Sequence, residues 1–210
     1  MNVRRMAHWY VRLVVPGLAL LSLPALAQEF EQLPSRGNDF SFQYLQVGFE
    51  AGDIENPRSN VNNFFFDGSW ELDEHLFVRG GLSYFDGRTR RGRPRLDVDG
   101  HRIYGGLGFN TPLEQDLDLV LSGDLVRVRA RFEDAGSDSE VGFDLRGGVR
   151  YRATERVELS GGAFHENIDR SELGLYGEAM YQMNAPVKAG ARLMLGGDVT
   201  TFGLFGRYDF

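Results

Sequence analysis

The chain has 210 residues, with 27 Gly, 16 Phe, 8 Tyr and no Cys, and a formal net charge of −7. That length allows one domain with a large core or one closed barrel. The missing cysteine excludes disulfides, a thiolate metal site and a cysteine nucleophile, and the acidic balance argues against general nucleic-acid binding.

The chain opens with a positive region, Arg4, Arg5 and Arg12. Leu13–Leu23 follows as an apolar run interrupted by Pro16, Gly17 and Ser22, and Ala25-Leu26-Ala27 is a small-x-small cleavage site. Together they predict a secretory signal peptide over residues 1–27, removed after Ala27. The run is short for a bilayer-spanning helix, and no later segment resembles one. Removal takes 3 of the 23 basic residues and no acid, leaving 20 against 30 and a net charge of −10. Residues 28–39 have no period and read as a periplasmic lead-in.

From residue 40 onward, ten segments alternate apolar and polar residues, the two-residue period of a strand with one oily and one wet face. The first is Phe40–Glu50, with Leu45, Val47 and Phe49 against Tyr44, Gln46, Gly48 and Glu50. After a loop over 51–60, Val61–Glu71 sets Phe64, Phe66 and Trp70 against Phe65, Asp67 and Ser69. The turn 72–74 leads to His75–Phe85, where Leu76, Val78, Leu82 and Tyr84 oppose Phe77, Arg79, Gly81 and Ser83. A long polar loop is expected over 86–97. Val98–Asn110 then sets Ile103, Leu107 and Phe109 against Arg102, Tyr104 and Gly106.

After a turn over 111–116, Leu117–Phe132 is the longest segment, and its end, Arg127 to Arg131, is expected to project beyond the membrane. A loop over 133–139 precedes Glu140–Arg152, the cleanest alternation. Arg156–Asn167 and Ser171–Met183 follow. The tight turn Asn184-Ala185-Pro186 leads into a strand from Val187 to Leu195. The chain closes on Thr200–Phe210, with Phe202, Leu204, Tyr208 and Phe210 on its apolar face.

In lipid every backbone N–H and C=O must be paired within the protein, so strands cross only as a closed barrel. The expected fold is therefore all-β: a transmembrane antiparallel up-and-down barrel of ten strands, with eight as the alternative, over residues 40–210. The last strand then pairs with the first, and both ends lie on the periplasmic side. A soluble lipocalin-like barrel would invert the faces. In the membrane barrel the wet face is the lumen. It would hold Asp67, Arg79, Arg102, Asp118, Asp124, Asp144, Arg146, Arg150, Glu158, Glu178, Arg192 and Arg207. Their near-balanced signs fit pairing, which buried charges require. Gly81, Gly106, Gly148 and Gly162 leave space for the long side chains.

A signal peptide, short turns, polar/apolar dyads throughout and a terminal Tyr208-x-Phe210 resemble the small Gram-negative outer-membrane β-barrel proteins, of the porin-like, OmpX or opacity type. The resemblance covers residues 40–210 and implies an architecture and an outer-membrane location rather than an activity. It implies that the last strand, through Tyr208 and Phe210, is the recognition signal for the barrel assembly machinery. Gly203 is present upstream, but Gly206 stands where that pattern has a bulky residue.

Few residues suggest chemistry. Arg88, Arg90, Arg91, Arg93 and Arg95 form a basic cluster that could engage lipopolysaccharide phosphates or another anion. Asp97-x-Asp99-Gly100 resembles the start of a calcium loop without its later ligands, so no metal or cofactor is expected. His101, His165, Glu166 and Ser171 are the candidates for a rim hydrolase, but no spacing links them, and both histidines fall on the outward parity. The expected function is non-enzymatic: a monomeric barrel, its lumen largely filled by paired charges, with a structural or cell-surface interaction role. A narrow pore for small solutes or ions is the first alternative and a lipid hydrolase at the rim the second.

Overall fold

The alternation resolves into ten antiparallel strands in the computed structural model, which describes residues 40–54, 59–89, 96–132, 136–197 and 199–210. The strands are β1 (Tyr44–Ile54), β2 (Ser59–Glu71), β3 (Leu76–Thr89), β4 (Leu96–Glu114), β5 (Leu117–Phe132), β6 (Gly136–Thr154), β7 (Val157–Asn167), β8 (Ser171–Asn184), β9 (Val187–Leu195) and β10 (Val199–Asp209). Each pairs with its chain neighbour, and β10 returns to β1, so the sheet closes. At the seam Leu45 faces Tyr208 and Ile54 faces Val199, an unbroken eleven-residue register. No edge is left unpaired, as a strand wall in lipid requires.

The exterior is apolar and the interior charged. Leu125, Val141 and Leu173 are about 70 % exposed on the outside, whereas Asp118 and Asp144, on the opposite parity, are 0 % and 2 % exposed. A water-soluble barrel has the reverse distribution. One outer feature repeats around the wall. Every even-numbered strand carries an outward aromatic in its last six residues: Trp70, Phe109, Tyr151, Tyr181 and Tyr208. All five stand at the end of the barrel that carries both ends of the sheet, here the terminal rim. Aromatic rings at one level are the girdle of a membrane–water boundary. The opposite end is the loop rim.

Several expected boundaries differ; those that bear on the wall have physical reasons. The sheet does not begin at Phe40: residues 40–43 leave the wall, and Phe40 and Phe42 are buried inside the barrel. At the loop rim, within the stretch expected as a loop over 86–97, residues 86–89 and 96–97 are strand, with Asp86 opposite Asp99 and Thr89 opposite Leu96. Likewise Ser137 and Ser139 continue the ladder against Arg131 and Arg129. The apolar period ends where lipid ends, but backbone pairing does not need lipid, so polar residues extend the ladder. At the terminal rim, Pro112 and Glu114 stay in β4 across a β-bulge, which accommodates the missing proline N–H. Consequently β4 and β6 run 19 residues, while β7 and β9 run 11 and 9. The wall rises along β3–β6 and stays low along β7–β10.

Candidate functional site

Side chains on the inward parity meet in the lumen and tie together strands that are not neighbours in the sheet. Near the terminal rim, Arg150 donates twice to Glu158 Oε2, at 2.6 and 3.1 Å. Lys188 bridges Glu158 at 2.5 Å and Asp209 at 2.7 Å. Arg207 donates to Gln46 Oε1 at 2.6 and 2.8 Å and lies 4.0 Å over the Tyr44 ring.

Higher in the lumen, Arg192 binds Glu178 at 2.5 Å and Glu50, two strands away, at 3.1 Å. Arg79 reaches Asp124 on β5 at 3.5 Å. Tyr104 hydroxyl donates to Asp67 in a short hydrogen bond. Closest to the loop rim, Arg102 spans β4 to β7, with Asp144 at 3.1 Å and Glu166 at 2.5 Å, while Arg146 holds the same Asp144 at 2.9 Å. Asp118 is fully buried and faces Arg150 in the β5–β6 register. Two glycines make this possible. A Cβ on Gly81 would lie 2.5 Å from the Asp67 carboxylate, and one on Gly148 would lie 2.6 Å from the Tyr176 hydroxyl.

The segment that leaves the wall closes the lumen from below. Phe42 N–H donates to Glu71 Oε1 at 2.8 Å, and its ring stacks on Phe77 at 4.7 Å. Arg150 donates to the Ser41 carbonyl at 3.0 Å while its guanidinium covers the Phe40 and Phe42 rings at 4.8 and 5.2 Å. Further up, Phe65, Phe205 and Met180 form a second apolar cluster, and Arg192 lies over the Phe65 ring at 5.0 Å. Among the described residues the lumen holds cavities of about 90 and 100 Å³. Asp67, Arg79, Arg146 and Arg192 line both.

The twelve charges named from parity all stand on this inner face. Parity also carried signals that went unused. Glu50, Lys188 and Asp209 occupy polar sets and join the networks. The interior phenylalanines share those sets, but an aromatic among polar residues does not announce itself as filling under an arginine. Of the basic cluster, Arg88 has its backbone paired with Asp97. The side chains of Arg88, Arg90, Arg91, Arg93 and Arg95 lie outside the described residues. His101 and His165 face outward on different strands; His101 is exposed opposite Tyr84, and His165 packs 5.8 Å from Phe143. Ser171 is exposed at the loop rim of β8. No three His, Asp or Glu side chains among the described residues could hold a metal ion. Phe210 lies just past β10; its N–H donates to the Gln43 carbonyl at 3.2 Å, and its ring lies 5.4 Å from Trp70 and 6.4 Å from Tyr208.

The outer wall carries a second charged feature. On β5 the outward parity runs Leu121, Leu125, Arg127, Arg129, Arg131, while Val126, wholly buried, points inward. The register sets Arg127 beside Ile103 and Val141, and Arg129 beside His101 and Ser139.

No protein-family model matches the chain, and no curated protein matches it in sequence. Solved structures resemble it in fold. The β-domain of the Bordetella autotransporter Brka is 15 % identical, over 81 % of this chain and 100 % of that one, with a TM-score of 0.51. Neisserial surface protein A is 15 % identical over 81 % of this chain and 98 % of that one, with a TM-score of 0.45. The KdgM porin is 8 % identical over 79 % and 99 %, with a TM-score of 0.48. The first of these supports the fold alone: a closed antiparallel β-barrel. With the apolar exterior and aromatic girdle described above, the architecture is that of an outer-membrane β-barrel.

Proposed function

We propose that this chain is an outer-membrane barrel with a sealed lumen, whose work is structural or interactive and is done at the loop rim and outer wall. The observation that carries this is the lumen itself. Arginines reach carboxylates across it at several levels, and Phe40 and Phe42 fill its lower mouth. The cavities of about 90 and 100 Å³ are lined by these charged side chains, and in this reading they hold water. They do not form a diffusion path for solutes. In this reading residues 1–27 are an export signal and 28–39 a periplasmic lead-in. The terminal rim faces the periplasm and the tall wall faces outward. The partners the reading implies are outer-leaflet lipid and the barrel assembly machinery, the latter through Tyr208 and Phe210, and the barrel works as a monomer without catalysis.

A narrow pore is the second reading, because the two cavities lie on either side of a shared Asp67, Arg79, Arg146 and Arg192 layer. Planar-bilayer recording separates the two. The full chain should be electrically silent, and Phe40→Ala with Phe42→Ala should remain silent unless the arginine layer also opens. Discrete conductance steps from the unmodified barrel would overturn the sealed reading in favour of the pore.

A further inference from the structure

The outer wall holds arginines where a lipid-facing strand should end in apolar or neutral residues. Arg127 is the eleventh residue of β5. At ~3.4 Å per residue and ~45° tilt, it stands about 24 Å above the terminal rim, the height of the apolar band. Below it the outward residues are Leu121 and Leu125; level with it are Leu82 and Ile103. Immediately above come Arg129, His101 and Tyr84, which face one another across β5, β4 and β3. Leu82, Tyr84, His101, Ile103, Arg127 and Arg129 line an open recess of about 520 Å³ on the outside of the wall.

These arginines differ from those of the lumen. The one side-chain hydrogen bond Arg127 makes to a described residue goes to Ser139 Oγ at 3.3 Å. The Arg129 side chain makes no hydrogen bond or ion pair to any described residue. A guanidinium at the edge of lipid is stabilised by an anion in the same plane, and two guanidiniums two residues apart on one strand face can grip one phosphate bidentately. The next row up sets the limit of the site. There Asp99 stands beside Arg131 and Asp86 beside Asp99, so an anion is repelled above Arg129 and held at the level of Arg127 and Arg129.

We infer that this recess binds the phosphate of a phosphorylated outer-leaflet lipid between Arg127 and Arg129, with His101 beside it and the acyl chains lying on Leu82, Ile103 and Leu125. The inference rests on the membrane-spanning orientation proposed above. It assigns the lipid to the described outer wall rather than to the Arg88–Arg95 cluster of the sequence.

Native mass spectrometry of the full chain in detergent tests it, with bisphosphorylated lipid A as the probe. Heat-dependent gel mobility in membrane fractions is run alongside. The unmodified barrel should retain lipid A, and Arg127→Ala with Arg129→Ala should weaken retention at least tenfold. Arg170→Ala, on the low wall, should leave it unchanged. Dephosphorylated lipid A should bind the unmodified barrel as weakly as phosphorylated lipid binds the double variant, and millimolar inorganic phosphate should not displace the lipid. If the alanine pair loses its gel shift, the pair Arg127→Gln and Arg129→Gln is measured instead. Equal retention by the folded double variant overturns the inference, as does equal binding of the dephosphorylated lipid. Full displacement by inorganic phosphate assigns the recess to soluble anions and overturns it too. Loss of the gel shift in the unmodified chain would instead remove the membrane reading on which it stands.

Discussion

Arg192 lies inside the barrel, held by Glu178 at 2.5 Å and Glu50 at 3.1 Å with an aromatic ring beneath its guanidinium. Arg129 stands on the outside of the tall wall, with no described carboxylate in reach. Both lie on β-strands, one residue type on two faces of one sheet. Inside, little water is present to solvate a charge, so each arginine must find its anions within the chain, and it thereby fixes the relative positions of distant strands. Outside, at the edge of the apolar band, water and headgroups solvate the charge, so nothing in the fold requires a partner. An interior arginine is thus part of the barrel's structure, and an exterior one is free to serve a ligand.

The comparison breaks most readily at Arg192. Arg192→Ala leaves Glu178 and Glu50 buried without their cation, and removing one partner of a buried pair costs about 3–5 kcal/mol. Urea unfolding followed by tryptophan fluorescence should show that loss. A change near zero would mean that water fills the lumen well enough to solvate both carboxylates. Next in size is Leu145→Arg. Leu145 is exposed on the lipid face, between Gly123 on β5 and His165 on β7. An arginine at mid-membrane costs about 2–4 kcal/mol, measured by the same unfolding in vesicles. Little or no change would put Leu145 outside the apolar band and undo the assignment of faces.

Much of this was legible in the sequence because the two-residue period is a direct consequence of having lipid on one side and a lumen on the other. Both ends of β5, Leu117 and Phe132, were legible, because Leu117, Leu119 and Leu121 alternate from the first residue. The seam was legible as well, since a barrel in lipid must close. The loop-rim ends of β1, β3, β4 and β6 were not: at Asp86 and Ser137 the period vanishes with the lipid while the hydrogen-bond ladder continues. Phe40 and Phe42 misled for the opposite reason. They share the parity of Tyr44 and Gln46 and blur the face at the start of the expected strand, while Arg150 and Phe77 hold them in the lumen mouth. Inside, the charges could be read from parity, whereas which carboxylate each arginine reaches depends on register across three strands. The outer arginines share the outward parity of Leu125, yet nothing in a single strand shows that His101 and Tyr84 complete a recess beside them.

The smallest expected effect is the most discriminating. Arg129→Ala removes an exposed side chain with no described partner, and surface substitutions away from packing and paired charges leave stability nearly unchanged. The urea midpoint should therefore match the unmodified barrel in vesicles of neutral lipid. In vesicles containing lipid A the two should separate, because a ligand held by the folded state alone raises its stability with concentration, and the variant has lost half of the proposed clamp. A midpoint that falls equally in both vesicles would give Arg129 a structural role like that of Arg192, and the distinction between the two faces of the wall would fail at that residue.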